Sequence, residues 1–467
     1  MFPQSRFTII NQVYQSGDSP LYCGERSFRH SAVREFEYTV AKVERVMMKL
    51  NDTHSSNARA MFYCHDTYGL GHLRRTLTLA HHLRATMPNL SQLIVTGSPV
   101  AGQFNLPDGA DYVKLPSVTK DAAGVYQPRS LAGGINAVRN MRKDILLSAA
   151  RHFQPDFFIV DHAPGGLKGE AVATLRHFKD ACPNTKLIVG LRDIMDESAT
   201  VKASWERDGV YELFDDIYNQ ILVYGKRNFY DVVEEYGLSP KAAAKTRFVG
   251  YLGREPGTRS PEDVRASLGM QTDKLVVVTA GGGGDGRALY QAMLRDLEIA
   301  GSSDFDCLIV GGPLLSAAER AEIRRHLASR GNLHFLDFTD DMVSYVAAAD
   351  AVISMGGYNT VCEILSTRRP AIIVPRVQPR QEQLIRATVL SDRGLTGMLH
   401  PNDLEPERLL ASTKTTLADS GSGRPLFPMD GLGNVVTEIN SLMNPSFRPD
   451  EPTATNLHPA MSAALVG

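Results

Sequence analysis

Residues 351–363 read Ala351-Val352-Ile353-Ser354-Met355-Gly356-Gly357-Tyr358-Asn359-Thr360-Val361-Cys362-Glu363, an apolar run that two glycines separate from a helical pattern. A second apolar run at 371–375 is followed by a polar turn and by Gln381-Glu382-Gln383, which begins another predicted helix and leads to Ala387. Short continuous apolar runs that alternate with amphipathic helices are typical of parallel strands buried on both faces. The stretch therefore predicts an α/β domain, and its polar clusters fall beyond the carboxyl ends of the strands, where such sheets bind ligands.

The first polar cluster has the chemistry of a phosphate site. Gly356 and Gly357 allow a ligand to approach the backbone closely. Asn359 and Thr360 are expected to cap a helix whose free N–H groups and dipole favour a phosphate. An alternative stays open for this loop alone, because glycine, asparagine and threonine also serve simple helix capping.

The acidic residues extend this interpretation to a whole nucleotide-sugar. Glu363 lies one helical turn further in and can accept hydrogen bonds from a ribose diol. Glu382 and Gln383, in the next loop, can face the hydroxyl groups of a sugar beyond the phosphates. Two consecutive loops with matched acceptors favour nucleoside diphosphate binding over capping alone.

The segment Met355 to Glu363, with Glu382-Gln383 and Ala387 behind it, resembles the donor-binding signature of GT-B glycosyltransferases, both MurG-like enzymes and UDP-glycosyltransferases. The resemblance implies that Asn359 and Thr360 touch the diphosphate. It also implies that Glu363 binds the ribose and that Glu382 and Gln383 bind the sugar. Many UDP-glycosyltransferases have a phosphate-binding histidine where this chain has Met355, so either the backbone alone holds the phosphates or the donor differs.

Composition limits the class of protein. A chain of 467 residues exceeds the size at which one core keeps growing, which predicts two domains. The formal charge of −2 argues against a nucleic-acid binder. Five scattered cysteines indicate reduced thiols, and neither a signal core nor an apolar run of about 20 residues is found. The expected location is therefore cytoplasmic, compatible with contact at the inner face of a membrane and with a homodimer.

Four segments are predicted. They are an N-terminal helical extension (1–58), an acceptor-side Rossmann-like domain (59–254), a nucleotide-sugar donor domain (255–430), and a C-terminal helix with a flexible tail (431–467). The two central segments make a GT-B fold, with two doubly wound α/β domains facing a cleft.

The first loop of the acceptor-side domain ends in Gly69-Leu70-Gly71-His72 and lacks the third glycine of a dinucleotide fingerprint. It is similar instead to the acceptor-side loop of MurG-like and diacylglycerol glycosyltransferases. Arg74 and Arg75 follow it directly and are expected to steady an anionic acceptor or the donor diphosphate.

Two further strands of this domain end in polar residues, Asp161-His162 and Arg192-Asp193. Both ends are expected on the side of the sheet where His72 lies. A histidine polarised by a carboxylate is a plausible general base. We therefore predict His72, Asp161 and His162 as catalytic and Arg192 as acceptor-side, although strand-end Asp and His residues also cap helices.

The donor domain opens with a glycine-rich turn, Gly281-Gly282-Gly283-Gly284, whose clustered N–H groups suit a phosphate. It resembles the corresponding loop of MurG-like transferases and lacks the Walker ending. Phe338 and Met342 occupy the loop that the resemblance assigns to the nucleobase.

Together these features predict a glycosyltransferase that moves a sugar from a nucleotide-sugar, expected to be UDP-linked, to a glycan, lipid or small-molecule acceptor. An inverting reaction without metal or cofactor is expected, since backbone N–H groups can stabilise the leaving diphosphate. Two alternatives remain open: an enzyme similar to UDP-sugar 2-epimerases, and a non-catalytic nucleotide-sugar-binding protein.

Overall fold

The computed structural model describes residues 58–65, 71–120, 125–328, 330–419 and 427–444. The predicted N-terminal extension, apart from its last residue, and the tail beyond residue 444 lie outside these ranges. None of the helices within them is both long and apolar enough to cross a bilayer.

Nine strands belong to the first half of the described chain. They are β1 (Arg59–Cys64), β2 (Ser91–Thr96), β3 (Ala110–Lys114), β4 (Val118–Lys120), β5 (Tyr126–Pro128), β6 (Phe157–Asp161), β7 (Lys186–Arg192), β8 (Gln220–Tyr224) and β9 (Thr246–Phe248). Seven of them form one parallel sheet in the order β3-β2-β1-β6-β7-β8-β9. The remaining two, β4 and β5, form an antiparallel hairpin.

Six strands belong to the second half: β10 (Leu275–Thr279), β11 (Asp306–Val310), β12 (Leu333–Leu336), β13 (Ala351–Ser354), β14 (Ala371–Ile373) and β15 (Gly397–Met398). They form a parallel sheet in the order β12-β11-β10-β13-β14-β15. Every residue of β10 and of β13 is buried, as expected of parallel strands covered on both faces.

Helices cover both sheets. They are α1 (Gly71–Thr86), α2 (Ile135–Phe153), α3 (Val172–Ala181), α4 (Ser198–Arg207), α5 (Val210–Glu212), α6 (Val232–Glu235), α7 (Pro240–Ala244), α8 (Pro261–Leu268), α9 (Arg287–Ala300), α10 (Ala317–Leu327), α11 (Met342–Ala348), α12 (Tyr358–Thr367), α13 (Glu382–Asp392), α14 (Arg408–Ala418) and α15 (Gly431–Met443). A π-helical turn (Leu213–Ile217) and three 3₁₀ turns (Ala101–Gln103, Leu167–Gly169, Pro401–Asp403) complete them. The predicted pair of doubly wound α/β domains is confirmed.

The last helix lies against the first sheet rather than the second. Asn434 Nδ2 donates to the Val249 carbonyl at 2.8 Å, and Gln220 Nε2 donates to Glu438 Oε2 at 2.6 Å. Apolar residues of α15 share a core cluster with those of α1, β1 and β8. The chain therefore returns to its first domain after completing the second.

Candidate functional site

The strand order reverses beside the first strand of each sheet. β1 lies between β2 and β6, and β10 lies between β11 and β13. A reversal of this kind leaves a crevice at the carboxyl ends of the strands, where α/β proteins bind ligands. The predicted site residues follow β1, β6 and β7 in the first domain and β10, β12, β13 and β14 in the second, so the topology brings them to these two crevices.

His72 forms the centre of a polar cluster in the first domain. Its Nδ1 lies 2.7 Å from Asp161 Oδ2, and Arg75 binds both oxygens of the same carboxylate, Nε at 2.7 Å and Nη2 at 2.6 Å. The His72 side chain is 18% exposed, while the Asp161 and Arg75 side chains are buried. With Nδ1–H donated to Asp161, the other ring nitrogen, Nε2, carries the lone pair of a general base.

Arg75 does not fit its predicted contact with an acceptor. Its guanidinium is buried and bound to Asp161, and it lies over the Tyr358 ring at 5.6 Å. We therefore assign Arg75 to holding Asp161 in place. Burial alone would raise the pKa of Asp161, but Arg75 and His72 outweigh it and lower that pKa to about 2.

This lowered pKa predicts an acid-dependent part of the stability. Because the pKa of Asp161 is lower in the folded chain, its contribution is complete above the unfolded value near pH 4 and is lost as pH falls toward 2. The difference in unfolding free energy between wild type and Asp161→Asn should shrink by about 1 kcal/mol between pH 7 and pH 3. Urea unfolding of both proteins at each pH measures it, and a constant difference would contradict it. Exposed Asp208, replaced by asparagine, is the control.

His162 and His65 flank His72, with ring centroids at 5.1 Å and 4.5 Å. Burial, followed by neighbouring charges, lowers the pKa of both flanking rings well below the usual value, so both are neutral at pH 7. His162 Nε2 accepts from Arg192 Nη2 at 3.2 Å. Its lone pair is therefore engaged, and His72 is better placed than His162 to act as the base.

The helix α12 begins differently from the sequence expectation. Gly357 is the N-cap residue and makes no side-chain cap, so Asn359 and Thr360 lie inside the first turn and are not the caps. Asn359 instead bridges the two domains, because its Nδ2 donates to the Gly71 carbonyl at 3.1 Å. Gly356 is required by close packing, since a Cβ there would lie 2.9 Å from the Gln383 carbonyl oxygen.

Glu363 is fully buried and reaches the first domain. Its Oε1 accepts from Arg74 Nη2 at 2.6 Å, whereas its Oε2 is buried without a partner in the described residues. Arg74, predicted on the acceptor side, thus contacts the residue predicted to bind the ribose. A buried carboxylate oxygen with no donor is unfavourable by itself and suits a hydroxyl group of a ligand.

Glu382, like Glu363, has one carboxylate oxygen paired with an arginine and one without a partner. Its Oε1 accepts from Arg376 Nη2 at 2.5 Å, and its buried Oε2 has no partner among the described residues. Arg376 also donates through Nη1 to Asp285 at 2.7 Å and through its backbone N–H to Gln383 Oε1 at 3.1 Å. Arg376 therefore fixes the two predicted sugar-binding side chains relative to the glycine-rich loop. Arg376 was not predicted as a site residue, although it lies only six positions before Glu382.

The glycine-rich loop Gly281-Gly282-Gly283-Gly284 follows β10 and meets the beginning of α12. A Cβ on Gly281 would lie 3.2 Å from Thr360 Oγ1. Gly283 adopts φ 87°, and a Cβ there would lie 2.4 Å from the Gly311 carbonyl oxygen, so only glycine fits. The two predicted phosphate-binding segments thus lie side by side.

The two residues predicted near the nucleobase differ in placement. Phe338 is partly exposed and packs edge-on against Phe104 of the first domain, with centroids 6.4 Å apart. The Met342 side chain lies in a core cluster with Val277 and Ile373. Phe338 is therefore open to a ligand through its ring, whereas the Met342 side chain serves packing.

Arg254, in the segment that joins the two domains, was also missed. Its Nη2 donates to Asn359 Oδ1 at 2.9 Å, its Nη1 donates to Thr78 Oγ1, and its backbone N–H donates to Ser366 Oγ at 3.0 Å. Burial lowers its pKa, and Glu363 is among the groups that counteract this. Arg254, like Arg74, thus lies beside the beginning of α12, which is predicted to bind a diphosphate.

A buried ion pair joins the two domains beside the site. Arg386 of α13 binds Asp193, which directly follows β7, through Nε at 2.9 Å and Nη2 at 2.6 Å. Tyr251 also donates to Asp193, at 2.7 Å, and Arg386 Nη1 donates to the Gly356 carbonyl at 2.8 Å. Both charged side chains are almost completely buried. The pair holds the β7 loop against the glycines that precede α12.

Comparison with known proteins supports this arrangement. Residues 275–427 match the family model "Glycosyltransferase family 28 C-terminal domain". The chain is 31% identical over 182 residues to the UDP-N-acetylglucosamine--N-acetylmuramyl-(pentapeptide) pyrophosphoryl-undecaprenol N-acetylglucosamine transferase of Actinobacillus pleuropneumoniae, covering 38% of this chain and 50% of the relative. The chain thus spans about half the length of the curated relatives it matches.

Two solved structures extend the likeness to both domains. The calicheamicin glycosyltransferase CalG4 superimposes with a TM-score of 0.50 at 16% identity, over 84% of this chain and 96% of that one. A putative UDP-N-acetylglucosamine 2-epimerase from Listeria monocytogenes gives a TM-score of 0.56 at 12% identity, over 84% and 98%. At such identities the likeness concerns the fold.

Proposed function

We propose that the chain transfers a sugar from a UDP-linked nucleotide-sugar to a hydroxyl group of an acceptor, because it has the GT-B fold and because residues 275–427 match the family 28 C-terminal domain model. The relatives named for transfer of N-acetylglucosamine from its UDP form support the UDP-linked donor. The acceptor that offers this hydroxyl group is a glycan, a lipid or a small molecule.

One observation carries the proposal. The beginning of α1 touches the beginning of α12, because Asn359 Nδ2 donates to the Gly71 carbonyl at 3.1 Å and His72 directly follows Gly71. A second contact, the 2.6 Å ion pair of Arg74 with Glu363, holds α1 against α12 about one helical turn further along. A general base thus lies next to the segment expected to hold the diphosphate, as direct attack of an acceptor on the sugar requires.

The roles of the residues follow from this geometry. His72, oriented by Asp161, takes the proton of the acceptor hydroxyl as its oxygen attacks the anomeric carbon. The bond between that carbon and the diphosphate breaks, and the leaving diphosphate is stabilised by N–H groups of the glycine-rich loop and of α12. Attack opposite the leaving group inverts the anomeric centre.

Arg376 provides a test of the sugar-binding role. Arg376→Gln should weaken binding of a UDP-sugar about tenfold while leaving UDP binding unchanged, because one charge-assisted hydrogen bond that orients Glu382 is lost. Calorimetric titration of UDP and of UDP-N-acetylglucosamine measures both affinities. The control is Arg265→Gln, which removes a similar pair with Asp350 at the amino-terminal ends of the strands of the second sheet, away from the site. Equal losses for UDP and for the UDP-sugar would contradict the role of Arg376.

Product analysis tests the proposed reaction. The protein is incubated with UDP-sugars and with glycan, lipid or small-molecule acceptor fractions, and mass spectrometry follows both UDP release and the mass of the acceptor. Transfer predicts that an acceptor gains one sugar residue for each UDP released. Isomerised sugar formed without an acceptor would indicate an epimerase, and binding without any turnover would indicate a non-catalytic protein.

A further inference from the structure

Arg192 is a cation close to His72 for which the described residues provide no carboxylate partner. Other arginines around it are paired, Arg75 with Asp161, Arg386 with Asp193, and Arg376 with Asp285 and Glu382. Arg380 lies 3.9 Å from Asp196, and Arg254 donates to neutral groups that include Asn359 Oδ1. No ion pair of Arg192 is found within the described ranges. Within those ranges, the one hydrogen bond of its side chain runs from Nη2 to His162 Nε2 at 3.2 Å.

The unused donors of Arg192 require an acceptor. A guanidinium group has five N–H donors and no acceptor atom. The Nε of Arg192 is buried and has no partner among the described residues. Burial lowers the pKa of Arg192 to about 10, and Glu382 across the cleft is the main group that counteracts this. Arg192 therefore keeps its charge at pH 7, in a place where bulk water does not reach Nε.

His162, the hydrogen-bond partner of Arg192, has an unusual backbone conformation. His162 adopts φ 65°, a left-handed backbone conformation that is uncommon for a residue with a side chain. Its N–H donates to the Gly190 carbonyl at 2.7 Å, which fixes the turn at the end of β6. His162 Nε2 then meets Arg192 Nη2, and this hydrogen bond orients the guanidinium group.

We propose that Arg192, oriented by His162, forms a subsite for an oxyanion, a carboxylate or phosphate group, carried by the acceptor. This inference rests on the proposed function. Arg192 belongs to the first domain, and the His162 ring that it contacts lies 5.1 Å from the ring of His72. An anion bound to Arg192 would therefore lie close to His72, the proposed general base. A planar guanidinium group binds carboxylates and phosphates through two parallel hydrogen bonds. The preferred acceptor is therefore acidic near the hydroxyl that receives the sugar.

The test uses methyl phosphate and acetate as separate probes, titrated by calorimetry with and without saturating UDP. At least one probe should bind wild type in the presence of UDP, and Arg192→Gln should weaken that binding at least tenfold. Arg192→Lys should retain part of it, because the charge remains while the planar pair of donors is lost. Arg207→Gln, an exposed arginine on α4, should behave as wild type.

The outcomes separate this inference from the proposed function. Equal probe affinity in wild type and Arg192→Gln, or no probe binding to wild type, would overturn the subsite. Loss of UDP affinity in folded Arg192→Gln would assign the anion to the donor and would also overturn an acceptor subsite. Failure of UDP to bind any of the proteins would instead count against the proposed function, while the titrations without UDP still report on Arg192.

Discussion

Replacing His72 with glutamine should lower the rate of sugar transfer about 10²- to 10⁴-fold and leave the affinity for UDP unchanged. His72 Nδ1 contacts Asp161 Oδ2 at 2.7 Å, so the other ring nitrogen, Nε2, is left to accept the proton of the acceptor hydroxyl. Glutamine keeps the size and polarity of the side chain but cannot accept that proton.

Initial rates of UDP release in the presence of the acceptor, together with calorimetry of UDP, separate the two effects. The matched control is His81→Gln, an exposed histidine on the same helix whose Nε2 contacts the Asn105 carbonyl oxygen. A variant of His72 with the wild-type rate would remove His72 from catalysis. A parallel loss of UDP affinity would show that it binds the donor instead.

The second large effect concerns the pair between the domains. Arg386→Leu should lower the free energy of unfolding by about 3–5 kcal/mol, because it leaves the Asp193 carboxylate buried with Tyr251 and backbone groups but without a cation. The double variant Arg386→Leu with Asp193→Asn should recover part of this loss, since no uncompensated charge then remains in the interior.

Urea unfolding of the single and double variants measures the difference. An exposed pair provides the comparison: Arg207→Gln, beside Asp208, should leave the unfolding midpoint unchanged. If Arg386→Leu unfolds at the wild-type midpoint, the buried pair does not join the domains as the structure indicates.

Much of the architecture was predictable because it depends on local patterns. The apolar runs that begin at residues 351 and 371 form β13 and β14 in the structure, and the helical pattern after Gly357 forms α12. Buried parallel strands need continuous apolar residues, and these stand out between polar loops. The hairpin of β4 and β5 was missed, because two strands of three residues within a polar loop have no such pattern.

The placement of site residues was predictable only in part. His72 and Asp161 follow different strands, and the rule that ligands bind at strand ends predicted their proximity. The partners of the carboxylates were not predictable, because Arg74 with Glu363 and Arg386 with Asp193 join residues that are 289 and 193 positions apart. Capping preferences gave the wrong prediction at Asn359, whose side chain contacts the other domain instead of capping its own helix.

Calorimetric titration of UDP, GDP, dTDP and ADP into wild type and Glu363→Gln tests whether the beginning of α12 forms the donor site. We expect UDP to bind wild type at least tenfold more tightly than the other three nucleotides. We also expect Glu363→Gln to lower the affinity for UDP at least tenfold, because the ribose hydroxyls lose a carboxylate acceptor. If none of the four nucleotides binds wild type, or if Glu363→Gln binds UDP as wild type does, the donor site proposed at α12 is contradicted.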